Sequence, residues 1–121
     1  MPTALILDDE PKVRAALERL LAREGWDVLH ASSETEAVLR CKHHDRPVDL
    51  LIVDVMLREN CGAAAAKSLS VVAPGALVVL TSGYDAPTLR KIGVDVDGGI
   101  FLPKPPDPDR LIAILRAASG A

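Results

Sequence analysis

The sequence predicts an α/β fold, a doubly wound parallel sheet of five strands with helices on both faces. Short apolar runs alternate five times with longer stretches of helical periodicity, which is the pattern of strands joined by crossover helices. One run, Asp49–Asp54, has a continuous apolar centre, as expected for a central strand covered on both faces. The length of 121 residues fits one compact domain, so residues 1–121 are predicted to form a single unit.

The first strand and helix are bounded by proline and glycine. The predicted strand Ala4–Leu7 ends in Asp8-Asp9-Glu10, and Pro11 then opens a helix, since the first turn does not need the N–H that proline lacks. Gly25 is predicted to end this helix. Its apolar residues recur at helical spacing on one face: Val13, Ala16, Leu17, Leu20 and Leu21.

The second strand is predicted over Asp27–His30, before a helix that either Ser32 or Ser33 can cap. The apolar positions of this helix are Ala37, Val38 and Cys41. The third strand, Asp49–Asp54, is followed by an alanine-rich helix near Ala63–Val72, because alanine has the highest helix propensity.

The last two units are shorter. Pro74-Gly75 turns the chain into the predicted strand Ala76–Leu80, and a short fourth helix follows over Ala86–Ile92. The last strand is predicted over Gly99–Leu102, and Asp107-Pro108 starts the final helix. The apolar positions of that helix are Leu111, Ile112 and Leu115.

Composition excludes several classes of protein. Hydrophobic residues make up 49% of the chain and charged residues 26%, which excludes disorder. The net charge of −3 does not indicate the excess of positive charge that is typical of direct nucleic-acid binding. Cys41 and Cys61 form no Cys-x-x-Cys pair, so neither a disulfide framework nor a zinc site is expected. No apolar run reaches the roughly 18 residues of a membrane span, and we expect a cytoplasmic protein without a membrane partner.

Polar residues follow four of the predicted strands. Asp8-Asp9, Asp54, Thr81 and Lys104 each stand just past the carboxyl end of a different apolar strand. Right-handed crossovers bring those ends to one edge of a parallel sheet, which is its ligand-binding edge. Three acids, a hydroxyl and an amine are therefore predicted to meet in one pocket.

This set of residues favours phosphoryl chemistry. Three close carboxylates repel one another unless they share a cation, and a hard divalent ion such as Mg²⁺ prefers oxygen ligands. Asp54, at the centre of the sheet, is the predicted nucleophile that becomes an aspartyl phosphate. Lys104 would neutralise the phosphoryl oxygens, and Thr81 would donate its hydroxyl to them.

Each feature alone has a plainer interpretation. Acids before Pro11 can simply favour a helix N-terminus, and a lone Lys104 or Thr81 is more often a solvated amine or a hydroxyl bonded to backbone. Their convergence favours the site. The adjacent His43-His44 is assigned to a solvated surface without a functional role.

The chain resembles the receiver domains of two-component response regulators over essentially its whole length. The matching motifs are Leu7-Asp8-Asp9-Glu10, Val53-Asp54 with Met56-Leu57 and Gly62, Leu80-Thr81-Ser82-Gly83, and Phe101-Leu102-Pro103-Lys104-Pro105. The resemblance implies a flavodoxin-like sheet of order 2-1-3-4-5. It further implies that Asp9, Asp54 and the backbone carbonyl of Met56 bind Mg²⁺ directly, and that Asp8 acts through water.

The resemblance also implies a switch and its partners. Phosphorylation of Asp54 would draw Thr81 toward the phosphoryl group and turn Phe101 inward, and the Lys104-Pro105 bond would be cis. The phosphodonor would be a phosphohistidine on a sensor histidine kinase or a histidine phosphotransfer domain. A downstream effector protein would bind the switched surface, and a phosphorylation-dependent homodimer is a further expected partner.

The sequence departs from the family pattern at two places and leaves alternatives open. Arg58-Glu59-Asn60 stands where proline commonly follows the Met-Leu pair, and Pro106 replaces a large apolar residue. A phosphohydrolase with an aspartyl-phosphate intermediate is a competing hypothesis, although such enzymes carry Asp-x-Asp on the first strand. An unphosphorylated adaptor is another. Whether the domain stands alone or belongs to a larger regulator or hybrid kinase is open.

Overall fold

The computed structural model describes residues 1–57 and 61–119. Its strands form one parallel sheet in the order β2-β1-β3-β4-β5, so the predicted fold class and strand order are confirmed. The strands are β1 (Thr3–Leu7), β2 (Asp27–Ala31), β3 (Leu50–Asp54), β4 (Leu77–Ser82) and β5 (Ile100–Pro103). The helices are α1 (Pro11–Arg23), α2 (Glu34–His43), α3 (Gly62–Val72), α4 (Ala86–Lys91) and α5 (Pro108–Ala118).

Apolar layers cover both faces of the sheet. The central strand β3 alternates between them: Leu51 and Val53 face one layer, and Leu50 and Ile52 face the other. The first layer is completed by α2, α3 and α4, and the second by α1 and α5 with the buried ring of Trp26. Because neither face of β3 meets water, the strand needs the unbroken apolar run that the sequence shows.

The helix boundaries follow the predicted signals. Pro11 is the first residue of α1, and Gly25 follows the end of that helix with a φ of +84°, a conformation that glycine adopts without strain. Of the two serines that could cap α2, Ser33 does so, because its Oγ accepts a hydrogen bond from the Glu36 N–H at 3.2 Å. The Ser32 N–H donates to Glu36 Oε1 at 2.7 Å.

Strand β4 runs further than the sequence suggested. Thr81 and Ser82 were expected after the strand, but they pair with Asp54 and Pro103 and lie inside it. The cause is a continued ladder, since the Val55 N–H donates to the Thr81 carbonyl at 3.0 Å and the Lys104 N–H donates to the Ser82 carbonyl at 2.8 Å. The fold therefore holds the backbone of Thr81 rigidly beside Asp54.

Within residues 1–57 and 61–119, no helix is both long enough and apolar enough to cross a bilayer.

Candidate functional site

Three aspartates meet at the carboxyl edge of the sheet. Asp8 and Asp9 are the first two residues after β1, and Asp54 is the last residue of β3. One carboxylate oxygen of each lies within 4.8 Å of the others. Asp8 is 1% exposed and Asp54 is 5% exposed, whereas Asp9 is half-buried. The structure thus brings together the three acids that the sequence predicted to converge.

Lys104 reaches this acidic group from the end of β5. Its Nζ donates to Asp8 Oδ2 at 2.8 Å and to Asp54 Oδ2 at 3.2 Å. The Lys104-Pro105 peptide bond is cis, as the family resemblance implied. One ammonium therefore joins the ends of three strands.

Burial and charge set the ionisation of this cluster. Burial raises the pKa of the Asp54 carboxyl, and the charge of Asp8 adds to the rise, while the Met56 N–H and Lys104 oppose it. For Lys104, burial by itself lowers the pKa, but the hydrogen bonds and charges of Asp8 and Asp54 outweigh burial, so the pKa is raised. The lysine is therefore charged, and the buried carboxylates share its single positive charge.

Asp8 is held through both its backbone and its side chain. Its N–H donates to the Ala31 carbonyl at 3.1 Å, and its own carbonyl accepts from Arg14 Nη1 at 2.6 Å. Its Oδ1 accepts from the Glu10 N–H at 2.9 Å, while its Oδ2 accepts from Lys104. The orientation of this carboxylate is therefore fixed before any ligand arrives.

The backbone after Asp54 is equally constrained. Asp54 Oδ1 accepts a hydrogen bond from the Met56 N–H at 3.0 Å, and the Gly62 N–H donates to the Val55 carbonyl at 2.9 Å. A Cβ atom on Gly62 would lie 1.8 Å from the carbonyl oxygen of Asp54, so only glycine fits. The departure at Arg58-Glu59-Asn60 lies outside the described residues. That the Met56 carbonyl binds a cation stays a prediction.

The two residues of the predicted switch lie on adjacent strands. Thr81 is buried and pairs in register with Asp54. Phe101 pairs with Leu80, is half-buried and packs against the apolar layer of α2, α3 and α4. Thr81 therefore lies next to the acidic cluster, and Phe101 lies against the core that supports this cluster. The movement of both side chains stays a prediction.

Comparison with known proteins gives the family. Residues 4–116 match the family model described as the response regulator receiver domain. The chain belongs to this family. A receiver domain is the phosphorylation-dependent signalling module of two-component systems, so the expected family and the general function are confirmed. The competing phosphohydrolase hypothesis is not supported.

Three similar proteins illustrate the match. The transcriptional regulatory protein AruR of Pseudomonas aeruginosa is 28% identical over 116 residues, which are 93% of this chain and 47% of AruR. The receiver domain of the hybrid histidine kinase CckA is 31% identical with a TM-score of 0.73, covering 96% of this chain and 97% of that chain. The receiver domain of the sensor histidine kinase PA1611 from P. aeruginosa PAO1 is 18% identical with a TM-score of 0.80, covering 99% of this chain and 98% of that chain.

These likenesses differ in what they show. The chain spans about half the length of the curated relatives that it matches. The PA1611 receiver domain has a magnesium ion coordinated in its active site cleft, but at its low identity the likeness shows the shared fold alone.

The acidic cluster of this receiver domain fits a cation. Its donors are carboxylate oxygens, which hard divalent ions prefer, and two of the three acids are buried next to a single ammonium. The three acids could be predicted from the sequence because each ends or follows a strand, whereas Arg14 could not. The available signal was weak: a basic residue in the first turns of the helix that follows an acidic pair.

Proposed function

We propose that this receiver domain accepts a phosphoryl group on Asp54 in a Mg²⁺-dependent reaction and thereby switches a partner-binding surface. The observation that carries the proposal is the position of Asp54: its buried carboxylate ends the central strand and contacts Lys104 within a cluster of three acids. A buried, partly compensated negative charge is costly, and such groups occur preferentially at functional sites.

Asp54 acts as the nucleophile. A carboxylate oxygen attacks the phosphorus atom of a phosphohistidine, the new P–O bond forms, and the P–N bond breaks with its electron pair passing to the imidazole nitrogen. Lys104 neutralises charge on the phosphoryl oxygens, and the Thr81 hydroxyl donates a hydrogen bond to one of them. Asp8, Asp9, Asp54 and the Met56 carbonyl would hold Mg²⁺, Asp8 mainly through water. When bound, the ion would supply positive charge for the phosphoryl oxygens.

Phosphorylation changes the charge of the pocket. The acyl phosphate would carry roughly −1.5 to −2 charges in place of the single charge of the Asp54 carboxylate, and it biases the Thr81 side chain toward it and Phe101 toward the space behind Thr81. A downstream effector protein or a second copy of the domain then binds the surface around α4, β5 and α5. The domain turns over no substrate other than its own phosphoryl group, which places it among signalling modules rather than among enzymes.

The donor is a sensor histidine kinase or a histidine phosphotransfer domain in the cytoplasm. The likeness to the receiver domain of the hybrid kinase CckA supports such a donor. The domain itself binds no nucleic acid in this proposal, in line with its net charge of −3. A transcriptional regulatory function like that in the name of AruR would depend on a separate domain of a longer chain.

A small-molecule phosphodonor tests the proposal. Parent protein, Asp54→Ala and the control Asp27→Ala are incubated with acetyl phosphate, with Mg²⁺ or with EDTA, and the intact masses are measured. We expect one labile phosphate adduct in the parent and in Asp27→Ala, only with Mg²⁺, and none in Asp54→Ala. An absent adduct in the parent with Mg²⁺ would contradict the proposal and favour the unphosphorylated adaptor.

A further inference from the structure

Arg14 makes a side-chain hydrogen bond to the backbone of the acidic cluster. It lies in the first turns of α1, is half-buried, and donates from Nη1 to the carbonyl oxygen of Asp8 at 2.6 Å. A charged donor makes this hydrogen bond shorter and stronger than one between neutral groups. The guanidinium thus contacts the backbone of an acid rather than its carboxylate.

The carbonyl that Arg14 binds belongs to the peptide plane between Asp8 and Asp9. Because a peptide unit is planar, fixing its oxygen also fixes the direction of the Asp9 N–H and Cα. The other contacts of Asp8, to Ala31, Glu10 and Lys104, fix its own N–H and carboxylate. Arg14 therefore helps to fix the peptide plane that links Asp8 to Asp9.

We propose that Arg14 is a positioning residue that holds the Asp8–Asp9 peptide and so presents both acids to the divalent cation. The proposal rests on the Mg²⁺ site of the proposed function and adds a residue that touches neither the ion nor the phosphoryl group. Mutation of a group that orients a metal ligand through a hydrogen bond typically lowers metal affinity by roughly 10- to 100-fold.

A purely electrostatic role and a positioning role of Arg14 predict changes of opposite sign in Mg²⁺ affinity. Removing a positive charge near a cation site relieves repulsion, so an electrostatic role alone would make Mg²⁺ bind more tightly to a variant without Arg14. A positioning role predicts weaker binding, because the Asp8 carbonyl loses its partner and the peptide is free to rotate. The direction of the change therefore separates the two roles.

Isothermal titration of the whole protein with Mg²⁺ alone measures this direction. The variants are Arg14→Gln, which suits a helix, and Arg14→Met as a second neutral replacement in case the first does not fold. Arg14→Lys restores a charged donor, and Arg19→Gln removes an exposed arginine from the same helix as a control. Urea unfolding followed by Trp26 fluorescence checks each fold.

We expect the Kd for Mg²⁺ to rise about tenfold in Arg14→Gln and Arg14→Met, at little cost in unfolding midpoint. Arg14→Lys should fall between these variants and the parent, and Arg19→Gln should bind no more weakly than the parent. Unchanged or tighter binding by either folded neutral variant, or an equal loss in Arg19→Gln, would overturn the role of Arg14. A parent protein that does not bind Mg²⁺ would contradict the proposed function itself.

Discussion

The two edges of the sheet carry similar residues in different environments. At the carboxyl edge, Asp8 and Asp54 are buried and share the Lys104 ammonium. At the amino edge, Asp27 is half-buried and lies 3.5 Å from Arg46 Nη2. Asp27 at the amino edge is partly in contact with water, whereas Asp8 and Asp54 at the carboxyl edge are held close together away from water.

This difference separates stability from function. Burying like charges together lowers the free energy of unfolding, because desolvation and repulsion act against the folded state. A sequence keeps such an arrangement where a ligand offsets the cost, which here would be the proposed cation and phosphoryl group. At the amino edge, the pair between Asp27 and Arg46 is an ordinary surface ion pair, which contributes little to stability.

The largest expected effect comes from the first residue of α3, which packs against the backbone of Asp54. Gly62→Ala would push a Cβ atom into the Asp54 carbonyl, and we expect it to lower the free energy of unfolding by about 3 kcal/mol. Gly75→Ala, in the turn at the amino edge, has nothing within 4 Å of its new Cβ and should change stability by no more than about 0.5 kcal/mol. Urea unfolding measures both, and equal effects would show that the close approach at Gly62 is wrong.

Mg²⁺ should stabilise the domain through the acids of the carboxyl edge alone. At one hundred times its Kd, a ligand that binds only the folded state adds about 2.7 kcal/mol to the free energy of unfolding. We expect this gain in the parent and in Asp27→Asn, but not in Asp9→Asn, which lacks a predicted ligand. Urea titrations with and without Mg²⁺ check it, and a full gain in Asp9→Asn would remove Asp9 from the site.

Without Mg²⁺, the Asp54 carboxylate should destabilise the domain at neutral pH. Burial raises its pKa in the folded state, so the folded protein binds this proton more tightly than the unfolded chain does. Parent stability therefore falls as pH rises from the unfolded to the folded pKa. Asp54→Asn should be more stable than the parent at pH 7, by on the order of 1 kcal/mol.

The gain in Asp54→Asn should shrink as pH falls toward the ordinary pKa of an aspartate, about 4. Urea unfolding of both proteins between acid and neutral pH measures the difference. A gain that is the same at every pH would mean that the side-chain charge is not its cause.

The smallest effect is expected at the amino edge. Arg46→Met breaks the ion pair between Arg46 and Asp27, and both of these side chains are substantially exposed. The substitution should therefore lower the free energy of unfolding by less than about 1 kcal/mol. Phosphate labelling of Asp54 should not change. Loss of labelling in this variant would show that the two edges are coupled.

The sequence predicted the convergence of the acids and the lysine better than the contacts around them. Asp8, Asp54 and Lys104 could be placed because each ends or follows a strand, and the topology of a parallel sheet brings strand ends together. Arg14 could not, because its contact depends on how α1 rotates against the Asp8 carbonyl. His44 was expected on a solvated surface, but its side chain is only 15% exposed and lies 3.6 Å from Asp27, a contact across α2 and β2 that no local pattern encodes.

A crystal structure with Mg²⁺ and beryllium trifluoride, an analogue of the phosphoryl group, tests the central claim most directly. We expect beryllium bonded to a carboxylate oxygen of Asp54, a metal ion contacted by Asp9 and Asp54, and the Lys104 ammonium on a fluoride. An analogue bound elsewhere, or a metal-free cluster with Lys104 still bridging Asp8 and Asp54, would contradict the assignment of Asp54 as phosphoacceptor.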